Sequence, residues 1–141
     1  MSNSKKGFTL IELLVVIALI GILSTIGIVT YTGFTESAAQ KSAESSLNSM
    51  TLAQQEYRSN NGTYYQTSGT SGACTPSLAT STLLNQQLFG ETQTDNLTKG
   101  RYYFCSTATA SSYTMTAKHT SKDCQVTLTE KNVYTRTGCD G

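Results

Sequence analysis

The chain starts with an apolar stretch and becomes polar near residue 30. From Phe8 to Val29 the only formally charged residue is Glu12. At about 1.5 Å of rise per residue, a helix of this length covers roughly 33 Å, which is enough to cross the core of a bilayer. The pattern therefore predicts a helix over residues 8–29 that is covered by lipid or by other apolar helices. One acid near its start is unusual in such surroundings.

The helical period continues beyond this stretch. Small and apolar residues recur every three or four positions, which is typical of the buried stripe of an amphipathic helix. The stripe consists of Ala39, Ala43, Leu47, Met50, Ala53 and Tyr57. Charged and polar residues, among them Lys41, Glu44 and Arg58, lie mostly off it, and Asn60-Asn61-Gly62 provides a stop signal. We expect residues 30–60 to form the second, amphipathic half of one long helix.

Residues 61–141 are predicted to form a globular headpiece. Residues 62–99 read as irregular, apart from an apolar island at 83–89 that could form a short helix. Four later segments alternate in the manner of antiparallel strands. They are Tyr102–Cys105, Tyr113–Ala117, Gln125–Thr129 and Val133–Thr137. The predicted fold class is α+β: a long N-terminal α-helix, transmembrane in its first half, packed against a three- to four-stranded antiparallel sheet.

Cysteine usage predicts disulfides. All four cysteines lie in the second half of the chain, and an even number in a short, membrane-targeted chain favours two disulfides. A zinc site is disfavoured because the sequence has no CxxC pair and a single histidine. Spacing leaves three pairings open, of which we favour Cys74–Cys105 and Cys124–Cys139.

Residues for catalysis or cofactor binding are not evident. His119 is the only histidine, and its polar neighbours predict an exposed turn rather than a catalytic base. The sequence has no phosphate-binding glycine loop of the Walker or dinucleotide type. The tyrosine pairs at 64–65 and 102–103 are expected to be half-buried sheet residues rather than an adhesive surface. We predict a protein that is not an enzyme, with no catalytic or metal-binding residues and no cofactor.

The first residues carry the most specific motif. Lys5 and Lys6 precede Gly7-Phe8-Thr9-Leu10-Ile11-Glu12, so that a short basic leader ends in glycine and the apolar run follows it. This arrangement strongly resembles the class III signal of type IV pilins and their pseudopilin relatives. The resemblance implies that residues 1–7 are a leader, that a membrane aspartic peptidase cleaves between Gly7 and Phe8, and that the new N-terminal Phe8 is methylated.

The same resemblance implies a partner for Glu12. Cleavage frees a cationic α-amine on Phe8, which within one helix lies about 6 Å of axial rise from Glu12. A neighbouring subunit in a filament could bring its own amine to this carboxylate instead. Attraction between opposite charges is strong where the dielectric is low, and the pair is less costly there than either charge alone. Phe8 and Glu12 are therefore the predicted assembly residues. The family commonly has a proline where this chain has Val29, so a kink between Gly21 and Val29 is left open.

The implied function is that of a structural subunit of a type IV pilus, serving attachment, twitching motility and, in some members, DNA uptake. Implied partners are other copies of the chain, the prepilin peptidase, and the inner-membrane assembly machinery with its motor ATPases. The precursor would reside in the inner membrane and the product on the cell surface. The positive residues before the apolar run indicate the matching orientation, with the N-terminus cytoplasmic and the rest of the chain exported. With 13% charged residues and a net charge of +1, nucleic-acid binding is not indicated by charge. A type II secretion pseudopilin and a non-polymerising, single-pass binding protein remain alternatives.

Overall fold

The computed structural model describes residues 7–67, 73–90, 97 and 99–139, apart from the side chains at 27–30 and 32. Its elements are α1 (Leu10–Asn61), α2 (Leu78–Phe89), β1 (Tyr102–Ala108), β2 (Tyr113–His119), β3 (Gln125–Thr129) and β4 (Tyr134–Thr137). Contacts divide the chain into two compact units, Met1–Ala38 and Ala39–Gly141. α1 belongs to both, and it is continuous through Gly21. The second unit, which contains the predicted headpiece, therefore begins inside the helix. The domain limits predicted from the sequence, 30–60 and 61–141, stay predictions.

The four strands form one antiparallel sheet in the order β1-β2-β3-β4, which confirms the predicted α+β class. Ala117 in β2 pairs with Phe104 on one side and with Val126 on the other. Because side chains alternate along a strand, these residues share one face of the sheet with Met115 and Leu128. All five are buried, and they form the sheet side of the core.

The helix side of the core is the stripe predicted from the sequence. Ala43, Leu47, Met50 and Ala53 are all buried, and Leu47 and Met50 have no exposed surface. Their spacing of three and four residues places them on one side of α1. The predicted amphipathic half of the helix is thus confirmed at these positions.

α2 lies against β1, and hydroxyl groups connect the two. Ser77 is the N-cap, and with Thr80 it forms a capping box. The Thr80 hydroxyl also donates to the carbonyl oxygen of Phe104 at 2.7 Å, while the amide of Phe104 donates to Ser81 Oγ at 2.8 Å. The carbonyl and the amide of Phe104, which face outward from the edge of β1, therefore both have hydrogen-bond partners. Another strand cannot pair with β1 at this position.

The chain that follows α1 is attached to β1 by direct hydrogen bonds between Thr67 and Ser106 and through the side chain of Gln54. Gln54 is fully buried; its Oε1 accepts from the amide of Tyr65 at 2.8 Å, and its Nε2 donates to the carbonyl of Tyr65 at 2.8 Å. Nε2 also lies 3.0 Å from Oγ of Ser106 in β1. The side-chain amide thus replaces a neighbouring strand for Tyr65, and it connects α1, the segment after α1 and the sheet.

Two disulfides cross-link segments of the headpiece. Cys74 is bonded to Cys105 and Cys124 to Cys139, which are the pairs favoured from the sequence. The first attaches the segment before α2 to β1. The second closes the segment that contains β3 and β4. A loop of about 15 residues closed in this way is typically stabilised by roughly 3 kcal/mol, chiefly through the unfolded state.

The structure tests the expectations for His119 and for the tyrosine pairs. The expected exposed turn at His119 is wrong: this residue ends β2 and is 7% exposed. Its ring packs edge-on against Tyr102 at 5.1 Å, and Nδ1 accepts hydrogen bonds from the amides of Ser121 and Lys122. The tyrosines at 64, 65 and 103 are half-buried, as expected, and the one at 102 is buried. The pair at 102–103 belongs to the sheet, whereas those at 64 and 65 lie in the segment after α1, outside the strands.

A transmembrane segment is expected from the sequence over residues 8–29. In the part of the chain that the structure describes, no helix is both long enough and apolar enough to cross a membrane.

A buried carboxylate connects β4 to α1. Glu44 was expected off the buried stripe, yet it is only 9% exposed. Its Oε1 accepts from Nε and Nη2 of Arg136, both at 2.7 Å, and its Oε2 lies 3.0 Å from Nζ of Lys41. One turn further along, Asn48 Oδ1 accepts from the hydroxyl of Tyr134 at 2.6 Å. Tyr134 and Arg136 reach the helix because alternation places both on the core face of the sheet.

The hydrogen bond from Arg136 lowers the pKa of Glu44 below its ordinary value of 4.5; burial opposes this, and Lys41 assists it. A lowered folded-state pKa adds stability above the ordinary pKa, which is lost as the pH falls through the lowered value. We therefore expect wild type to exceed Glu44→Gln in stability at neutral pH, and the difference to shrink as the pH falls below 4.5.

Urea unfolding of the full chain in detergent over a pH series measures this difference. Glu56→Gln is the matched control, because Glu56 is an exposed glutamate on the same helix. A Glu44→Gln effect of the same size at every pH would contradict the assigned role of the charge.

Candidate functional site

The first turn of α1 brings Thr9 and Glu12 together. Thr9 directly precedes the helix, and its hydroxyl accepts from the amide of Glu12 at 3.3 Å. In return, Glu12 Oε2 accepts from the amide of Thr9 at 2.9 Å and from the Thr9 hydroxyl at 2.7 Å. These reciprocal bonds make a capping box, which satisfies amides that the first turn otherwise leaves unpaired. A carboxylate in the first turn also interacts favourably with the helix dipole.

This arrangement gives Glu12 a partner that the sequence-based reasoning missed. The signal was present, because Thr9-Leu10-Ile11-Glu12 has the Thr-x-x-Glu spacing of a capping box. From the sequence, the expected partner of this acid is the amine of Phe8, because a carboxylate in apolar surroundings needs a compensating charge. Both bonds from Thr9 end on Oε2, and among the described residues no hydrogen bond to Oε1 is found. The capping box therefore leaves one carboxylate oxygen for a further donor.

The predicted cleavage point lies just before the helix. Gly7, Phe8 and Thr9 are not helical, and Phe8 is 83% exposed. Gly7 is exposed, and a Cβ added there would have no described atom within 4 Å. Within the described residues, no hydrogen bond or ion pair joins Phe8 to Glu12. Residues 1–6 of the predicted leader lie outside the residues that the structure describes.

The first part of α1 exposes apolar side chains on every side. All described large hydrophobic residues from Phe8 to Ile26 are between 44% and 88% exposed. They are Phe8, Leu10, Ile11, Leu13, Leu14, Val15, Val16, Ile17, Leu19, Ile20, Ile22, Leu23 and Ile26. Soluble monomers rarely expose continuous apolar surface of this extent. A helix that is apolar all round is one that is buried in its working state.

Comparison with known proteins supports the interpretation of this segment. The prokaryotic N-terminal methylation motif matches residues 2–28. Two relatives, each named type IV major pilin protein PilE1 of Neisseria gonorrhoeae, are 34% identical to the chain over 76 residues. The resemblance to the type IV pilins is confirmed.

The similarity to these pilins covers part of each protein. The aligned residues are 54% of this chain, and they span 46% and 42% of the two relatives, so the match extends over somewhat less than half of their length. No solved structure matches the chain. Similarity to the pilins thus rests on the methylation motif and on the aligned residues.

Metal-ligating side chains do not cluster in the part of the chain that the structure describes. In those residues, no group of three or more His, Cys, Asp or Glu side chains is arranged to hold a metal ion. Asp95 and Asp140, two of the acids scattered along the sequence, lie outside the described part of the chain.

Proposed function

We propose that this chain is a structural subunit of a type IV pilus, and that it polymerises through the N-terminal part of α1 after cleavage between Gly7 and Phe8. The observation that supports this most directly is the exposed apolar surface from Phe8 to Ile26, which lies within the residues that match the methylation motif. Burying a Leu, Ile, Val or Phe side chain typically contributes about 1.5–3 kcal/mol. Packing these helices against one another in a filament removes the whole surface from water.

In the proposed filament, Glu12 sets the register between subunits. The capping box holds the carboxylate in one position through Oε2, and the other oxygen accepts the methylated amine of Phe8 from a neighbouring copy. The capping box survives processing, because the Thr9 amide that it uses follows the new N-terminus. A carboxylate fixed in this way loses little further freedom when the amine arrives, which favours docking.

The partners and the location follow from the same proposal. A prepilin peptidase cleaves and methylates the precursor at the inner membrane, and an assembly machinery adds it to a filament that extends from the cell surface. Motor ATPases of that machinery supply the force, in keeping with a sequence that has no nucleotide-binding glycine motif. We propose that the filament serves in attachment. Twitching motility and, as in some pili, DNA uptake are further functions in which this subunit would take part.

Mass analysis of the N-terminus of the protein from its native cells tests the processing step. We expect the mature chain to begin at Phe8 and to carry one added methyl group. The matched variant Gly7→Ile, with a large side chain before the cleaved bond, should accumulate as an uncleaved precursor. An intact Met1, or a cut beyond Val29, would favour the non-polymerising membrane protein instead.

Immunogold labelling of whole cells tests the filament itself. We expect label along surface filaments, and label that stays within the cell envelope would favour a type II secretion pseudopilin. Together with the N-terminal mass, this result separates the pilus subunit from both alternatives.

A further inference from the structure

The end of α1 carries a polar groove that the proposed assembly does not use. An open groove of about 490 Å³ is lined by Gln55, Arg58, Ser59 and Tyr64. The three helical residues have the spacing i, i+3 and i+4, which places them on one face of α1. All three are exposed, and Tyr64, from the segment after the helix, is half-buried. The lining therefore offers a guanidinium, a carboxamide and a hydroxyl beside an aromatic ring.

Arg58 is held in place even though it is exposed. Its guanidinium lies 4.8 Å from the centre of the Tyr64 ring, and Nη1 donates to the Tyr64 hydroxyl at 2.8 Å. The ring itself packs edge-on against Tyr113 at 4.7 Å, and Tyr113 is buried in the core. The cation is thus positioned by contacts that extend into the headpiece. Less side-chain freedom is lost when such a group binds a ligand.

The free edge of this guanidinium has the geometry that a carboxylate needs. Among the described residues, no hydrogen bond uses Nε or Nη2 of Arg58. These two groups form parallel N–H donors on one edge, and such a pair binds the two oxygens of a carboxylate side by side. Glu56 is the acid next to Arg58 along the chain, but at two residues' distance it lies on another face of the helix.

The carboxyl end of a helix ordinarily repels an anion, because its unpaired carbonyl groups carry partial negative charge. Here two carbonyl groups of the last turns accept hydrogen bonds. The carbonyl of Tyr57 accepts from Nδ2 of Asn61 at 2.9 Å, and that of Arg58 accepts from the amide of Gly62 at 2.8 Å. Gly62 has a φ of 76°, the left-handed conformation that ends helices in this way. These bonds reduce the negative potential of the last turn.

We propose that this groove binds an acidic saccharide, a sugar ring that bears one carboxylate. Arg58 binds the carboxylate through Nε and Nη2, while the amide of Gln55 and the hydroxyl of Ser59 bond to sugar hydroxyls. A single cation suits a single carboxylate better than a polyanion such as nucleic acid, whose binding needs several Lys or Arg contacts. The proposal rests on the headpiece alone, so it stands whether or not the chain polymerises.

Titration of the full chain in detergent micelles with sodium glucuronate, followed by NMR of Arg58 Nε–H and the Gln55 amide, tests the site. We expect saturable shifts of both signals. Glucose, which lacks the carboxylate, and acetate, which lacks the hydroxyls, should each bind at least about tenfold more weakly. Equal binding of acetate and glucuronate, or no shift at millimolar glucuronate, would overturn the proposal.

Variants separate the bidentate contact from simple charge. Arg58→Lys keeps the charge but loses the paired donors, and we expect glucuronate affinity to fall about tenfold. Lys131→Ala removes an exposed cation in the turn between β3 and β4, and it should leave affinity unchanged. Gln55→Ala changes only an exposed side chain and should weaken binding about threefold. Unchanged glucuronate affinity in Arg58→Lys would show that the paired donors Nε and Nη2 of Arg58 do not bind the carboxylate.

Discussion

Glu12→Gln should insert and be processed as the wild-type chain is, but its incorporation into filaments should fall by at least about tenfold. Glutamine at this position preserves the capping box, because its side-chain oxygen still accepts from the amide of Thr9. It removes only the negative charge that the amine of a neighbouring Phe8 is proposed to meet. Filament yield after shearing, divided by the amount of processed subunit in the membrane, measures the effect.

Thr9→Ala is the matched control for this experiment. It removes the hydroxyl that accepts from the amide of Glu12 at 3.3 Å and donates to Glu12 Oε2 at 2.7 Å, but it leaves the carboxylate charge in place. We expect Thr9→Ala to assemble with a yield much closer to wild type than that of Glu12→Gln. The opposite order, with Glu12→Gln assembling normally and Thr9→Ala failing, would show that the acid serves to start the helix.

The elements that the sequence predicts well are those with a clear period. Leu47 and Met50 lie on a stripe that repeats every three or four residues, and β3 alternates over its whole length, so in both cases one face had to be buried. β1 and β2 are longer than predicted because their register continues to Ala108 and His119. The error at His119 follows from this extension, since pairing with Tyr102 carries the residue into a buried position.

The parts that could not be predicted depend on contacts between distant residues. The apolar residues at 83–89 indicate only part of α2; its start at Leu78 and its hydroxyl bonds to Phe104 in β1 cannot be inferred from local sequence. Glu44 is buried because Arg136 reaches it from a strand at the other end of the chain. The groove at Arg58 likewise depends on Tyr64 turning back over the end of α1. None of these contacts can be predicted from the spacing of residues that are close together in the sequence.

Gln54→Leu should lower the free energy of unfolding of the headpiece by about 1–3 kcal/mol, the usual cost of leaving a buried polar group without its partner. Leucine has a similar volume, so the effect comes from lost hydrogen bonds rather than from a cavity. The amide of Tyr65 loses its acceptor, while its carbonyl still accepts from Ser106 Oγ at 3.1 Å. Gln55→Leu is the matched control, because Gln55 is exposed and its substitution should change stability by less than about 0.5 kcal/mol.

Gln54→Glu distinguishes the donor function of this side chain from its acceptor function. A carboxylate still accepts from the amide of Tyr65, but it cannot donate to the Tyr65 carbonyl, which lies 2.8 Å from Nε2 in the wild type. Burial and this carbonyl both disfavour the charged form, so we expect the pKa of the introduced acid to be raised. Its folded-state pKa then exceeds the unfolded value, and the variant should regain stability as the pH falls through the raised pKa. Urea unfolding at several pH values measures this recovery, and a stability loss in Gln54→Glu that does not change with pH would contradict the donor function of Nε2.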